Sequence, residues 1–198
     1  MKRSILLLIV LILLCSACSS SVEKYRYVHI GIYDVYTEQY LDIGDDRTSV
    51  DKRIGKGIKK RIDKLVEYPD GLTILYDDNA MIECISVFFA YDTNNSDRYI
   101  LPDGTGCSKT VSSFIEKYKY VYEFNRNEDN FNVGIFLKKQ KNKIIILSKK
   151  DLISLQNNYE SVYQISISCT SYDDINGIYI EKFSPRYNNF VDNLKEVK

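Results

Sequence analysis

Pro69-Asp70-Gly71-Leu72-Thr73-Ile74-Leu75-Tyr76-Asp77-Asp78-Asn79-Ala80-Met81-Ile82-Glu83-Cys84-Ile85 carries two turn signals around a short apolar segment. Pro-Asp-Gly is a strong turn signal and Asp-Asp-Asn a second one. Between them Leu72 to Tyr76 reads as a strand, and Ala80 to Phe89 as a longer strand after the second turn. Lys64 to Tyr68 supplies a third strand on the other side of Pro69. Further back, Thr48-Ser49-Val50-Asp51 follows the Thr-x-x-Asp capping-box pattern that opens a helix. Val50 and Ile54 stand four apart on one face of it, and Gly55 and Gly57 weaken its continuation. Asp42-Ile43-Gly44-Asp45-Asp46 reads as a turn. Residues 42–89 are thus expected to form a short helix followed by a three-stranded meander.

The same order recurs from residue 101. Leu101-Pro102-Asp103-Gly104-Thr105-Gly106 is a glycine-rich turn, and Ser108 opens a short helix with Val111 and Ile115 four apart. Tyr118 to Phe124, Phe131 to Leu137 and Lys143 to Leu147 follow as strands, with turns at 125–130 and 138–142. Val50 maps to Val111 at an offset of 61 residues, so 42–89 and 101–147 are read as two copies of one unit. Around this pair, Tyr25 to Tyr36 alternates as a strand. Ser148-Lys149-Lys150-Asp151 caps a short helix over Leu152 to Asn157, and Tyr163 to Thr170 and Gly177 to Phe183 are strands. Phe190, Val191, Leu194 and Val197 have the spacing of a short docked helix.

The glycine-ended turn, the capped helix with Val-x-x-x-Ile, and the meander with an Asp-Asn or Lys-Asn turn resemble the repeat of β-lactamase-inhibitor-protein-like domains. The small lipoprotein of the outer-membrane barrel-assembly machine has a related single-unit fold. The match is clearest at Ile43-Gly44-Asp45-Asp46, Val50 to Ile54-Gly55, Tyr68-Pro69-Asp70-Gly71-Leu72 and Asp77-Asp78-Asn79. The second copy is looser, with Glu116 where the first has Gly55. The resemblance implies an α+β fold, with two repeats of short helix plus antiparallel meander, helices packed on one face of the sheet and the other face free. In that family the free face binds proteins. The motifs are turns and caps, so no contact residue carries over.

The N-terminus has its own signature. Lys2 and Arg3 precede an uncharged aliphatic run from Ile5 to Leu14, and then small residues Cys15-Ser16-Ala17-Cys18 and polar Ser19-Ser20-Ser21. Basic region, apolar region and small-residue site describe a secretory signal peptide at 1–17. A helix over that run rises about 15 Å, roughly half the hydrocarbon thickness, so cleavage is favoured over spanning. The segment resembles the bacterial lipobox, with Ser16 and Ala17 suiting the two positions before a cysteine that receives diacylglycerol. Cys15 departs from the pattern, where leucine is usual, and bulky Leu14 makes Cys15 itself a poor acceptor. Lipid attachment is therefore assigned to Cys18, with palmitate among its acyl chains. Residues 18–24 form an anchored linker and 25–198 the exported domain, held at a cell membrane or outer membrane on the extracytoplasmic side. Several acyl chains, at about 0.8 kcal/mol per buried methylene, make such anchoring permanent.

Removing residues 1–17 from 198 leaves 181, enough for one domain or two small lobes. Without Lys2 and Arg3, the 27 Lys plus Arg become 25 against 27 Asp plus Glu. That balance implies no nucleic acid partner. Tyr, Ile and Val are abundant and favour a sheet. Cys84, Cys107 and Cys169 are an odd number in an exported chain, leaving open one disulfide with a spare thiol or three buried thiols.

The remaining candidates for chemistry are few. His29 is the only histidine, and it stands among Tyr25, Tyr27 and Tyr33 as a strand-surface residue without a nucleophile beside it. The cysteines lack zinc spacing. Gly104-Thr105-Gly106 lacks the rest of a dinucleotide or phosphate loop. Asp42, Asp45, Asp46 and Asp51 gather at a helix start, where they suit capping more than the spacing of a calcium loop. Asp45, Asp46, Asp77 and Asp78 are the carboxylates an acid–base hydrolase would use. Lys52, Arg53, Lys56, Lys59, Lys60, Arg61 and Lys64 form a basic run able to touch anionic lipid. The expected function is a non-catalytic protein-binding or scaffold domain with an envelope protein as partner, no metal and no cofactor. The alternatives are a carboxylate-based envelope hydrolase and a small-ligand carrier.

Overall fold

The computed structural model describes residues 28–59, 64–89, 97–124, 130–141, 143–156, 158–184 and 190–197. Cys18, the signal segment and the linker lie outside these. Thirteen strands and three helices make up the regular structure of the described residues. The strands are β1 (Gly31–Asp34), β2 (Gln39–Asp42), β3 (Ile58–Lys59), β4 (Leu65–Glu67), β5 (Leu72–Tyr76), β6 (Ile82–Phe88), β7 (Tyr99–Ile100), β8 (Tyr122–Phe124), β9 (Phe131–Gln140), β10 (Lys143–Ile146), β11 (Val162–Cys169), β12 (Gly177–Lys182) and β13 (Lys195–Glu196). The helices are α1 (Arg47–Ile54), α2 (Val111–Lys117) and α3 (Lys149–Ser154).

Ten of the strands form one antiparallel sheet in the order β13-β8-β9-β11-β12-β6-β5-β4-β3, with β10 also on β9. Its register lines up Ile135, Ile165, Ile180, Ile85, Ile74 and Val66 as direct neighbours across six strands. All six have 0% exposure. A second row, Val133-Ile167-Ile178-Val87-Leu72, runs beside it and is equally buried. β-branched side chains stacked this way on one pleated face are the unit of sheet stability. This inner face is covered by β1, β2 and β7, which form a separate three-stranded sheet, and by loops. Ile30, Ile32 and Leu41 join the same core, as do Tyr99 and Leu101.

The expected α+β fold with helices packed on a sheet face is corrected here. Strand accounts for 42% of the described residues and helix for 14%. The helices are eight, seven and six residues long, too short to form a layer, and each of the first two buries two side chains, Val50 with Ile54 and Val111 with Phe114. The two supersecondary copies also differ. β4, β5 and β6 form a meander, whereas β8 and β10 both pair with the same side of the ten-residue β9. Length is the reason: β9 has room for two short partners end to end.

Local boundaries shift for identifiable causes. Helix α1 is capped by Asp46, whose carboxylate accepts from Ser49 N, so the helix starts before the Thr48 cap read from the sequence. α2 is capped by Thr110 rather than Ser108. α3 has the capping box between Ser148 and Asp151, though it ends at Ser154 rather than Asn157. The tail expected as a helix is a turn leading to β13, with Val191 and Leu194 buried. The turn before β5 places both Asp70 (φ 60°) and Gly71 (φ 80°) in the left-handed region. A Cβ on Gly71 would stand 2.2 Å from Phe88 O, so only glycine fits that turn.

Ile165→Ala removes a side chain from the middle of the six-strand row and is expected to cost about 2–5 kcal/mol in a denaturant melt. Thr73→Ala, on the opposite face, should stay within about 0.5 kcal/mol of wild type.

Candidate functional site

The outer face of the large sheet changes character along its width. Thr73, Ser86, Tyr179, Ser166, Gly134 and Tyr122 are successive neighbours across it. Tyr122 is 0% exposed and Ser166 6%. There the sheet is roofed by α3 and the C-terminal segment, whose Leu152, Val191 and Leu194 pack with Phe136, Val162 and Phe183. Thr73, Ser86 and Tyr179, by contrast, are partly exposed. Leu75 and Cys84 are partly exposed beside them, and Phe88 is 50% exposed. Phe88 meets the Tyr179 ring edge-on at 5.5 Å. Burial and the neighbouring Cys84 thiol hold the Tyr179 hydroxyl above its ordinary pKa. Among the described residues no element is layered over this half, which is weakly apolar at its centre and carries Glu67 beside Thr73 and Glu181 beside Cys84.

The carboxylates singled out from the sequence are all engaged in the framework. Backbone bonds from Gly44 N to Ile82 O (2.9 Å) and Ile82 N to Asp45 O (2.8 Å) bring the 44–47 and 77–81 turns together. Asp45 Oδ2 accepts from Arg53 at 2.6 Å and from Asp42 N at 3.0 Å. Asp77 Oδ1 accepts from Asn79 N and Met81 N, both at 2.9 Å. Asp78 pairs with Lys64 at 2.5 Å, and that hydrogen bond holds its pKa below the carboxylate range. Asp51 accepts from the Tyr68 hydroxyl at 2.8 Å, and Tyr68 in turn meets Tyr76 at 2.7 Å. Burial pushes the Tyr76 hydroxyl up to about 12. His29 Nδ1 lies 2.7 Å from Asp42 Oδ2, and its ring stacks on Tyr40 at 3.7 Å. No group of three or more His, Cys, Asp or Glu among the described residues is placed to hold a metal ion.

Gly104-Thr105-Gly106 belongs to a loop tied by Asp103, which accepts from Thr105 N and Oγ1, from the Tyr118 hydroxyl at 2.5 Å and from Lys117 at 3.3 Å. Among the described residues no disulfide joins Cys84, Cys107 and Cys169; the Cys107 thiol donates to Asp97 at 3.5 Å and the Cys169 thiol to Phe131 O at 3.1 Å. The basic run from Lys52 to Lys64 does not make one face. Arg53 is turned onto Asp45 and Tyr40 O, and Lys64 onto Asp78. Lys60, Arg61 and the Lys59 side chain lie outside the described residues.

Two groupings are absent from the sequence candidates. One is Asp34–Arg98–Asp70. Arg98 makes a fork onto Asp34 at 3.1 and 2.9 Å and reaches Asp70 at 2.8 Å. Its guanidinium lies over the Tyr36 and Tyr99 rings. The ion pair is 10% and 0% exposed on its two sides. Burial alone would raise the Asp34 pKa, but hydrogen bonds from Arg98 and from Tyr36 N outweigh it and hold the carboxyl below its ordinary 3.8. The other grouping is the β9–β10 hairpin, which carries Lys138, Lys139, Lys141 and Lys143, with Lys138 opposite Ile145, Lys143 opposite Gln140 and Lys139 opposite Ile144. Lys141 there has φ 49°, a left-handed conformation that costs a lysine about 1 kcal/mol.

Against family models, characterised proteins and solved structures alike, the chain has no match. No helix of the described residues is long and apolar enough to cross a membrane.

Arg98→Met would leave Asp34 buried without its partner and is expected to cost about 3–5 kcal/mol. A carboxyl with a lowered folded pKa stabilises fully above its unfolded value and loses that contribution as pH falls below about 4. Wild-type stability should therefore drop through that window, and Asp34→Asn combined with Arg98→Met should flatten the Asp34 share of the drop in pH-dependent urea melts.

Proposed function

We propose that the chain is an envelope lipoprotein, held to a membrane by lipid on Cys18, whose exported domain is a non-catalytic binding module. Its docking surface is the outer face of β5, β6 and β12, and its partner is another protein of the envelope. The observation that carries this reading is the unequal cover of the sheet. One half of the outer face is roofed by α3 and the tail, while the other keeps Leu75, Phe88 and Tyr179 accessible among small hydroxyl side chains. Aromatic rings among small polar groups give contact area with little ordering cost. The likeness of the turns around Gly44, Gly71 and Asn79 to a family that binds proteins supports the same reading.

The hydrolase alternative draws less support. Each of Asp45, Asp46, Asp77 and Asp78 is engaged by a backbone amide or a basic side chain that the turns need. A general acid needs the opposite, a carboxyl kept protonated by an apolar setting.

Cells fed labelled palmitate are expected to label the wild-type protein and not Cys18→Ala, with the variant leaving the membrane fraction. Equal labelling of both would move or remove the anchor. Separately, Tyr179→Lys with Ser86→Lys should abolish capture of the partner from envelope extract while leaving the thermal melt within a few degrees of wild type. Undiminished capture would take the docking surface elsewhere.

A further inference from the structure

The β9–β10 hairpin is a surface of one sign. Lys138, Lys139, Lys141 and Lys143 lie within six positions of each other, and the two strands carry no acid. None of the four makes an ion pair with a described residue. Ile145 sits directly opposite Lys138 and is 37% exposed. Exposed Lys150 follows at the start of α3. The acids nearest in the chain and across the sheet are Asp151 and Glu160. Asp151 is occupied by the Ser148 amide and hydroxyl at 2.9 and 2.6 Å, and Glu160 neighbours Ser161, whose carbonyl accepts from Lys139 N. The outer edge of β10 has no partner strand among the described residues.

We infer that this hairpin is a membrane-facing contact that seats the domain on anionic phospholipid headgroups, Lys138 and Lys143 on the face of Ile145 and Lys141 at the tip meeting phosphate and Ile145 entering the headgroup layer. The inference rests on the lipid-anchor reading for the source of the bilayer. Charge complementarity selects the occupant: an anionic surface attracts clustered lysines at about fivefold in affinity per residue. Lysines alone would serve to keep an edge strand from pairing with another chain. That role does not explain an exposed isoleucine among them, nor a lysine kept at a left-handed tip position where Asn or Gly is favoured. An apolar residue flanked by lysines is the pattern of an interfacial contact. Reach is no obstacle, since the residues from Cys18 to Tyr27 span up to about 35 Å when extended.

Membrane-extracted mature protein in nanodiscs of phosphatidylcholine, with or without phosphatidylglycerol, tests this by amide hydrogen exchange. Exchange over 143–146 should slow by about tenfold only in the anionic discs, and Lys138→Gln with Lys141→Gln and Lys143→Gln should restore it. Unchanged protection of β11 in the triple variant would show that the fold is intact. Equal exchange in both discs, or equal protection in both, overturns the contact. Intact mass reports the acyl chains on Cys18 independently. If they are missing, the same protein is sedimented with phosphatidylglycerol vesicles. Binding that the triple substitution weakens by roughly 100-fold then supports the hairpin contact without the anchor, and failure to sediment overturns it.

Discussion

A row of six β-branched side chains, Ile135-Ile165-Ile180-Ile85-Ile74-Val66, runs across the inner face of the large sheet without a break. It commits the sheet to one register, since a slip by one residue would turn the whole row to the outside. It also demands cover over a wide apolar surface, and the short helices provide little of it. The chain answers with a second small sheet, two helix turns and the loops at 97–110, all feeding one core.

Holding that cover in place is a task for polar groups as well. Arg98 joins β1, through Asp34, to the β4–β5 turn, through Asp70. The small sheet is thereby fixed to the rim of the large one by a charge pair with almost no solvent contact. Such a pair is costly to break and specific in geometry. Asp103 serves the loop before α2 in the same manner. Asp45, Asp46, Asp77 and Asp78 are likewise held by turn amides, a helix start or a basic side chain.

Much of the strand pattern was legible because its cause is local. Leu72–Tyr76 is a strand with the limits its alternation and flanking turns set, and the Ser148–Asp151 capping box is present as its spacing implied. The layer architecture was not legible. β2 follows β1 in a local hairpin that closes at Asp34 and Gln39, but β7 is two residues long and pairs with β1 through Tyr33–Ile100 and Asp34–Tyr99, a separation no window sees. Asp34 and Arg98 stand 64 residues apart. The helix-plus-meander repeat was read from two similar helices, but the length of β9 decides that its partners lie end to end. The basic run at 52–64 was grouped by adjacency, and acidic partners from other turns divide it. The four lysines around residue 141 were adjacent too, and the isoleucines after them were the signal that they share a hairpin.

The functional reading depends on one half of the outer face being open to a partner in the cell. A photo-crosslinking residue placed at Ser86, with a control at exposed Glu160, measures this directly in intact cells. The account predicts a discrete adduct with one envelope protein from position 86 and none from 160. No adduct from position 86, or the same adducts from both positions, would contradict it.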